Sequence, residues 1–295
     1  MARVLVTGAD GFIGRHLVPA LRASSHDVRA VGRTAGDITL EPTWASFADA
    51  QVVVHLAGTS YVPASWADPR AFLHTNVRGT IEALEFARAR GARVIFLSSY
   101  LYGHPMALPI PESAPLSATN PYALSKLLAD ETCRFYAKAY GIDVVVLRPF
   151  NVYGPGQPNY FLIARIVDQA LAGSVVRVKD LAPRRDFVYV ADLVKAILAA
   201  VETQGCGGVY NVGSGMSHSV SEVIRTVESV LGLSLSIESS EERRPDELMD
   251  TVADITRARA SLGWVPRIDF ESGIRATIAA VQSAGPHVDR RMHAH

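Results

Sequence analysis

The chain has 295 residues, 48% hydrophobic and 20% charged, enough apolar surface for one large folded unit or two small ones. Its 29 basic residues balance 29 acidic ones without any block of like charge, which argues against a nucleic-acid or acidic-membrane partner. Only Cys133 and Cys206 are present, in contexts that suggest neither a disulfide framework nor a metal site, as a reducing cytoplasm would have it. Taken in order, the first element is "RVLVT" (3–7), an apolar run too short for a signal peptide that breaks at Gly8. No later stretch approaches a membrane span, so the expectation is a soluble, cytoplasmic protein.

Further strands are expected at "DVRAV" (27–31), "QVVVHL" (51–56), "ARVIFLS" (92–98) and "DVVVLR" (143–148), all nearly apolar and bounded by Gly, Asp or Asn. Strands buried on both faces read this way, and helical patterns at Phe12–Ser24, Pro69–Arg90 and Pro121–Tyr140 fall between them. The alternation predicts an α/β fold with a doubly wound parallel sheet, the Rossmann type, over residues 1–150, with segments near 185–206 returning to it. After "VYGPGQPN" (152–159) the elements shorten. "GVYNVGS" (208–214), "LSLSIE" (233–238) and helices near 254–262 and 270–284 suggest a smaller α/β substrate lobe over 151–284. The tail 285–295 has no periodicity and reads as disordered; its three histidines have no folded ligand set beside them, so no metal is expected.

Two stretches carry chemistry. "VTGADGFIG" sets Gly8, Gly11 and Gly14 between the first strand and first helix, with Phe12 and Ile13 opening that helix. The first glycine allows a tight turn, the second lets a pyrophosphate approach, and the third packs helix on strand; the helix N-terminus then faces the phosphates. "NPYALSK" puts Tyr122 and Lys126 one turn apart after an N-cap, Asn120, and a first-turn proline, Pro121. A nearby ammonium lowers a phenol's pKa, which would make Tyr122 a general base and Lys126 its tuner. A solvated helix face is the plainer reading of such a pair, but the upstream glycine loop and the serines Ser98 and Ser99 at a strand end favour the catalytic one.

The GxxGxxG spacing, "HLAG" (55–58), "TNVRGT" (75–80), "FLSSYLYG" (96–103), "NPYALSK", "LRPFNVYGPGQ" (147–157), "RDFVYVADL" (185–193) and "ASLGWVP" (260–266) span nearly the whole chain. Together they resemble the extended short-chain dehydrogenase/reductases, specifically the NAD-dependent epimerase/dehydratase family. The resemblance implies an NAD or NADP cofactor lined by Leu56, Ala57, Gly58 and Asn76, with Pro149 and Phe150 passing beside it and Lys126 on the nicotinamide ribose. Asn151, Arg185 and Arg244 would meet a sugar diphosphate, the two arginines as charge-assisted donors. The family's hydroxyl residue is Ser99 counted forward from the strand and Ser98 counted back from Gly103; we take Ser99, with Ser98 as a structural or cofactor contact. At the end of the second strand stand Gly32 and Arg33, with no carboxylate until Asp37. Arg33 could pair with a 2′-phosphate, which tips the reading to NADP; stacking on adenine in an NAD enzyme is the alternative.

Dehydratases of the family carry an Asp-Glu pair after the hydroxyl residue, where this chain has Tyr100 and Leu101, so a dehydratase is disfavoured. The resemblance implies hydride transfer at hexose C4 of a nucleoside-diphosphate sugar, read as a 4-epimerase, with an NADP-dependent 4-keto reductase as the alternative. A nucleotide-sensing regulator on the same fold would have no need of the Tyr–Lys pair. The two long helices imply a homodimer, as the family commonly forms.

Overall fold

The computed structural model describes residues 1–47, 49–242 and 248–283. In chain order come β1 (Arg3–Thr7), α1 (Phe12–Ala23), β2 (Asp27–Val31), α2 (Glu41–Ala45), β3 (Val52–His55), α3 (Val62–Ala67), α4 (Pro69–Leu73), α5 (Gly79–Arg90), β4 (Arg93–Leu97), α6 (Pro121–Tyr140) and β5 (Val144–Pro149). They are followed by β6 (Asn151–Tyr153), α7 (Leu162–Ala172), β7 (Val175–Val178), β8 (Arg184–Tyr189), α8 (Val190–Glu202), β9 (Gly208–Val212), β10 (Ser217–Ser219), α9 (Val220–Leu231), β11 (Ser236–Ser239), α10 (Thr256–Leu262) and α11 (Phe270–Ser283).

Six parallel strands form the central sheet in the order β2-β1-β3-β4-β5-β9. Side chains alternate across it with the period of two that a pleated strand imposes. Val4 and Val6 of β1 join one buried cluster with Leu17 and Leu21 of α1 and Leu193 and Ile197 of α8. Leu5, between them, joins the opposite cluster with Leu84 of α5 and Ala129 of α6. Both faces are therefore covered by helices, and the near-continuous apolar strand sequences follow from that. β2 is the exception: at the sheet edge, its residues are mostly exposed.

The residues after 150 build two small sheets, β10-β8-β6 and β11-β7, around a third core supplied by α7, α9 and α11. Two segments depart from expectation here. Residues 208–214 were expected in the smaller lobe; instead β9 pairs in parallel with β5 as the sixth strand of the central sheet. Without it the backbone edge of β5 would be open, and covering that edge satisfies its N–H and C=O groups. The helix expected near 254–262 is α10, and its Ala258 and Leu262 pack into the α1/α8 cluster of the central sheet. The tail expected to be disordered lies outside the described residues.

The long helix expected over Pro69–Arg90 is helical throughout but not uniform. A five-residue π-helical turn, His74–Arg78, joins α4 to α5 and puts Asn76 into the interior. Such a turn inserts one residue into the helical ladder and often marks a functional position. α6 has the bounds expected of it, with the Asn120 side chain accepting the Ala123 N–H at 2.8 Å and Gly141 ending it in the left-handed conformation.

Candidate active site

In a doubly wound sheet, the strand order reverses at one point, and the crevice there lies beyond the carboxyl ends of the strands. Here the reversal falls between β1 and β3. The loops that leave those two strands hold Gly8 to Gly14 and Leu56 to Gly58. Gly8 sits at φ +70°, and a Cβ there would come within 2.7 Å of the Ala57 backbone nitrogen; Gly14 is pressed against the Gly8 carbonyl and Ala9. Side chains are excluded from both positions, and the two loops close into one backbone-lined cradle. α1 starts at Phe12 with no side-chain cap and no acidic residue in its first turn, so its amide groups are left for an anion. Ile13 packs against the central core. The cradle thus fits a dinucleotide pyrophosphate.

The adenosine end of that crevice contains more than the sequence suggested. Arg33 lies in the turn after β2, with an exposed side chain. Asp37 is spent on its own turn, where Oδ1 accepts the Thr39 amide and hydroxyl at 2.9 and 2.8 Å, which holds its pKa below the usual range. The carboxylate nearest the end of β2 comes from Asp10 in the glycine loop, whose Oδ2 accepts the Arg33 amide at 3.2 Å. Its separation from Arg33 along the chain hid this contact from sequence reasoning.

Asn76 closes the other side of the cradle. Its Nδ2 donates to Ser125 Oγ at 2.8 Å and to the Thr59 carbonyl at 3.0 Å, while its Oδ1 accepts the Thr59 amide at 2.9 Å. The Ser125 hydroxyl in turn donates to the Tyr122 carbonyl at 2.7 Å. The loop after β3 is therefore tied through Asn76 to the first turn of α6. No sequence pattern had pointed to Ser125.

The two serines after β4 point to opposite sides. Ser98 continues the strand pairing, its amide donating to the Leu147 carbonyl at 2.8 Å, and its hydroxyl turns inward to Asp130 Oδ2 at 3.0 Å. Ser99 is turned the other way, and its hydroxyl faces the Tyr122 phenol, where it favours the ionised form. Burial pushes the Tyr122 pKa up; the Ser99 contact opposes this, and the neighbouring Tyr100 phenol adds to it. Lys126 had been expected to lower that pKa. Its ammonium instead donates to the Leu97 carbonyl at 2.5 Å and lies 4.2 Å from the centre of the Phe96 ring. Desolvation lowers the Lys126 pKa to about 8, opposed by Cys133 and Asp130.

Pro149 ends β5, and the buried Phe150 stacks on Tyr100 with ring centres 5.1 Å apart. The Tyr100 hydroxyl reaches Asn151 Oδ1 at 3.3 Å, and Asn151 Nδ2 donates to the Asp186 carbonyl at 3.3 Å. Arg185, on β8, donates to the carbonyls of Arg184 and Leu248 at 2.8 and 2.5 Å, so its guanidinium is directed to the segment around residue 248. Arg244 lies outside the described residues. Among the described residues, no group of three His, Cys, Asp or Glu side chains is arranged to hold a metal ion, and no helix is long and apolar enough to cross a membrane.

Comparison with known proteins bears on this geometry. Residues 4–213 match the NAD dependent epimerase/dehydratase family. The chain is 34% identical to GDP-6-deoxy-D-mannose reductase of Pseudomonas aeruginosa, across 95% of this chain and 97% of that protein. It is 32% identical to UDP-glucose 4-epimerase of Mycolicibacterium smegmatis, across 94% and 97%. Among solved structures, RMD from Pseudomonas aeruginosa complexed with NADPH superposes with a TM-score of 0.88 at 32% identity, covering 96% of this chain and all of that one. The UDP-glucose 4-epimerase of Thermus thermophilus in complex with NAD gives a TM-score of 0.87 at 30% identity, covering 96% and 99%. The cradle at the sheet reversal, the Ser99–Tyr122 contact and these matches agree: the chain belongs to the NAD-dependent epimerase/dehydratase family, enzymes of the extended short-chain dehydrogenase/reductase type.

Proposed function

We propose that this protein is an NAD(P)-dependent enzyme acting at C4 of the hexose of a nucleoside-diphosphate sugar, read as a 4-epimerase. The observation that supports it most is the placing of the Ser99 hydroxyl against the Tyr122 phenol, beside a cradle that fits a dinucleotide. A bound nicotinamide would supply the hydride acceptor and donor. Tyr122 accepts the proton of the C4 hydroxyl as the carbon–oxygen double bond forms, and Ser99 holds that oxygen. Lys126, on the same helix face, supplies positive charge and can bond the cofactor ribose. Cofactor contacts are assigned to Gly8, Gly11, Phe12, Ile13, Gly14, Arg33, Leu56 to Gly58, Asn76, Pro149 and Phe150, and substrate contacts to Ser99, Asn151, Arg185 and Arg244. Asp37, engaged with Thr39, is the weakest of the sequence-derived cofactor assignments.

A 4-keto reductase is the second reading. Arg33 at the end of β2 favours NADP, as such an enzyme would use, and the relative at 34% identity is a reductase. Stoichiometry separates the two. Purified protein is given UDP-glucose with NAD, or GDP-6-deoxy-D-mannose with NADP, while reduced-nicotinamide absorbance and sugar products are followed. An epimerase forms the C4 epimer with no net change in absorbance; a steady rise matched by keto-sugar formation identifies the reductase working in reverse. In either case Tyr122→Phe should lower kcat by about 10²–10⁴-fold, and turnover within a few-fold of wild type would remove Tyr122 from its role.

We place the protein in the cytoplasm, where Cys133 and Cys206 would remain reduced as they are in the structure. A homodimer is supported by the outer face of α6, where Leu124, Leu128 and Phe135 are 40%, 40% and 59% exposed at spacings of four and seven residues. Residues 1–150, with β9, α8 and α10 added, are the cofactor-binding part, and α7, α9 and α11 carry the substrate-binding part.

A further inference from the structure

Beneath the Ser99–Tyr122 contact lies an ion pair with no part in the chemistry proposed above. Asp130 is one turn beyond Lys126 on α6, and Arg148 precedes Pro149 on β5; their side chains are 0% and 1% exposed. Arg148 Nε and Nη2 donate to Asp130 Oδ2 and Oδ1 at 2.9 and 3.0 Å, a two-point contact. The same Oδ2 accepts the Ser98 hydroxyl at 3.0 Å. Arg148 Nη1 continues to the Tyr102 hydroxyl at 3.2 Å, and that hydroxyl donates to Asn211 Oδ1 at 2.5 Å. One carboxylate thus joins the ends of β4 and β5 to the catalytic helix, and the chain of bonds reaches β9.

Stability alone is a poor reason for this arrangement. Apolar side chains of similar size in place of a buried ion pair are often neutral or stabilising, because desolvation of the charges offsets their attraction. The geometry supplies another reason. Ser98 and Ser99 are adjacent in extended chain, so anchoring the first inward turns the second outward, towards Tyr122. The surroundings of Lys126 point the same way. On α6 its charge is felt by Asp130 and Cys133; from β3 comes His55, from β4 the Phe96 ring and Leu97 carbonyl, and Arg148 of β5 reaches this set through Asp130. His55 is neutral above pH 3 or so, its pKa lowered to about 3 by burial, and burial keeps Cys133 a neutral thiol. Asp130 is the anion of this set.

Resting on the function proposed above, we infer that Asp130, held by Arg148, is a positioning residue of the reaction: it fixes Ser98 so that Ser99 meets Tyr122, and it supplies the negative charge that keeps the Lys126 ammonium charged. Two measurements test this on the full chain. The first follows the Lys126 Nζ titration by NMR in cofactor-free protein and needs no turnover. D130N should move the midpoint down by about half a unit or more, since it leaves the Arg148 cation without its counter-charge, and S98A should leave it in place. The second measures kcat and KM with UDP-glucose and NAD, and with GDP-6-deoxy-D-mannose and NADP. S98A and the apolar pair D130L/R148M should lose about tenfold or more in kcat, with KM within twofold and the melting temperature within a few degrees of wild type. D130E, which keeps the charge, should retain more activity than D130N.

An unmoved Lys126 midpoint in D130N, or wild-type kcat in S98A, overturns the inference and leaves the pair a structural one. Should D130N fail to fold, S98A, which removes a single oxygen, decides. If the wild-type chain turns over neither substrate, the proposed function is what fails, and the Lys126 midpoint still reads the electrostatic half of the inference.

Discussion

His55 offers a quantitative test of how the core supports the cofactor loop. It ends β3, is 1% exposed and stacks on Phe96 with ring centres 6.1 Å apart. Its Nδ1 lies 2.9 Å from the Thr7 hydroxyl, and that oxygen accepts the Ala57 amide at 3.3 Å. The Thr7 hydroxyl and Nδ1 share one hydrogen bond, and Nε2 has no hydrogen-bond partner among the described residues. A second ring proton would put a charge in an apolar setting. Burial, and then the nearby Lys126 charge, lower the His55 pKa to about 3 from an ordinary 6.5.

The unfolded chain takes up this proton as pH falls below 6.5 or so, and the folded chain does not until about pH 3. The folded pKa is depressed, so this group's stability contribution is complete above the unfolded pKa and is lost as pH falls towards the folded one. The loss is about 1.4 kcal/mol per unit, or about 2 kcal/mol on going from pH 7 to pH 5, with a ceiling of about 5 kcal/mol. The assay is urea denaturation of wild type and His55→Gln at half-unit steps between pH 7 and pH 5. Glutamine cannot titrate, so the variant should lack this slope even if it is less stable at pH 7, and the carboxylates common to both proteins cancel in the difference. Parallel stability curves for the two proteins would refute the reasoning.

Three other outcomes are expected. Arg33→Ala should raise KM for NADP about tenfold and leave that for NAD within twofold, while Asp10→Asn should shift preference towards NADP; initial rates with both cofactors read this. Phe135→Glu on the outer face of α6 should halve the mass seen by light scattering at micromolar concentration with no large change in melting temperature, since a charge there costs nothing in a monomer but is buried in a dimer. Arg148→Met alone should destabilise the fold by about 3–5 kcal/mol, because it leaves the Asp130 carboxylate buried without its partner; equilibrium denaturation against the D130L/R148M pair measures the difference.

What was legible in the sequence was whatever short-range patterns determine. α6 begins where Asn120 and Pro121 signal it and stops at Gly141, because caps act within a turn of the residues they bond. The glycine cradle was legible for the same reason: its close contacts are made by the loop with itself and with one neighbouring strand end. Features set by pairing across the sheet were not legible. Whether Ser98 or Ser99 faces Tyr122 depends on the pleat continuing one residue past β4, and that is fixed by the Leu147 carbonyl on another strand. β9 could be read as a strand, but its place beside β5 depends on the path of the chain through β6, α7, β7, β8 and α8. The π-helical turn at Asn76 left the apolar pattern of its helix readable on either side, so nothing marked the extra residue. Asp130 and Arg148 stand in otherwise ordinary runs, 18 residues apart, and only their meeting in the interior gives either a meaning. The chemical groups of this site are local in sequence; what aims them is not. Proteins with these motifs can therefore differ in how well Ser99 is directed at Tyr122, and residues such as Asp130 are where that difference would arise.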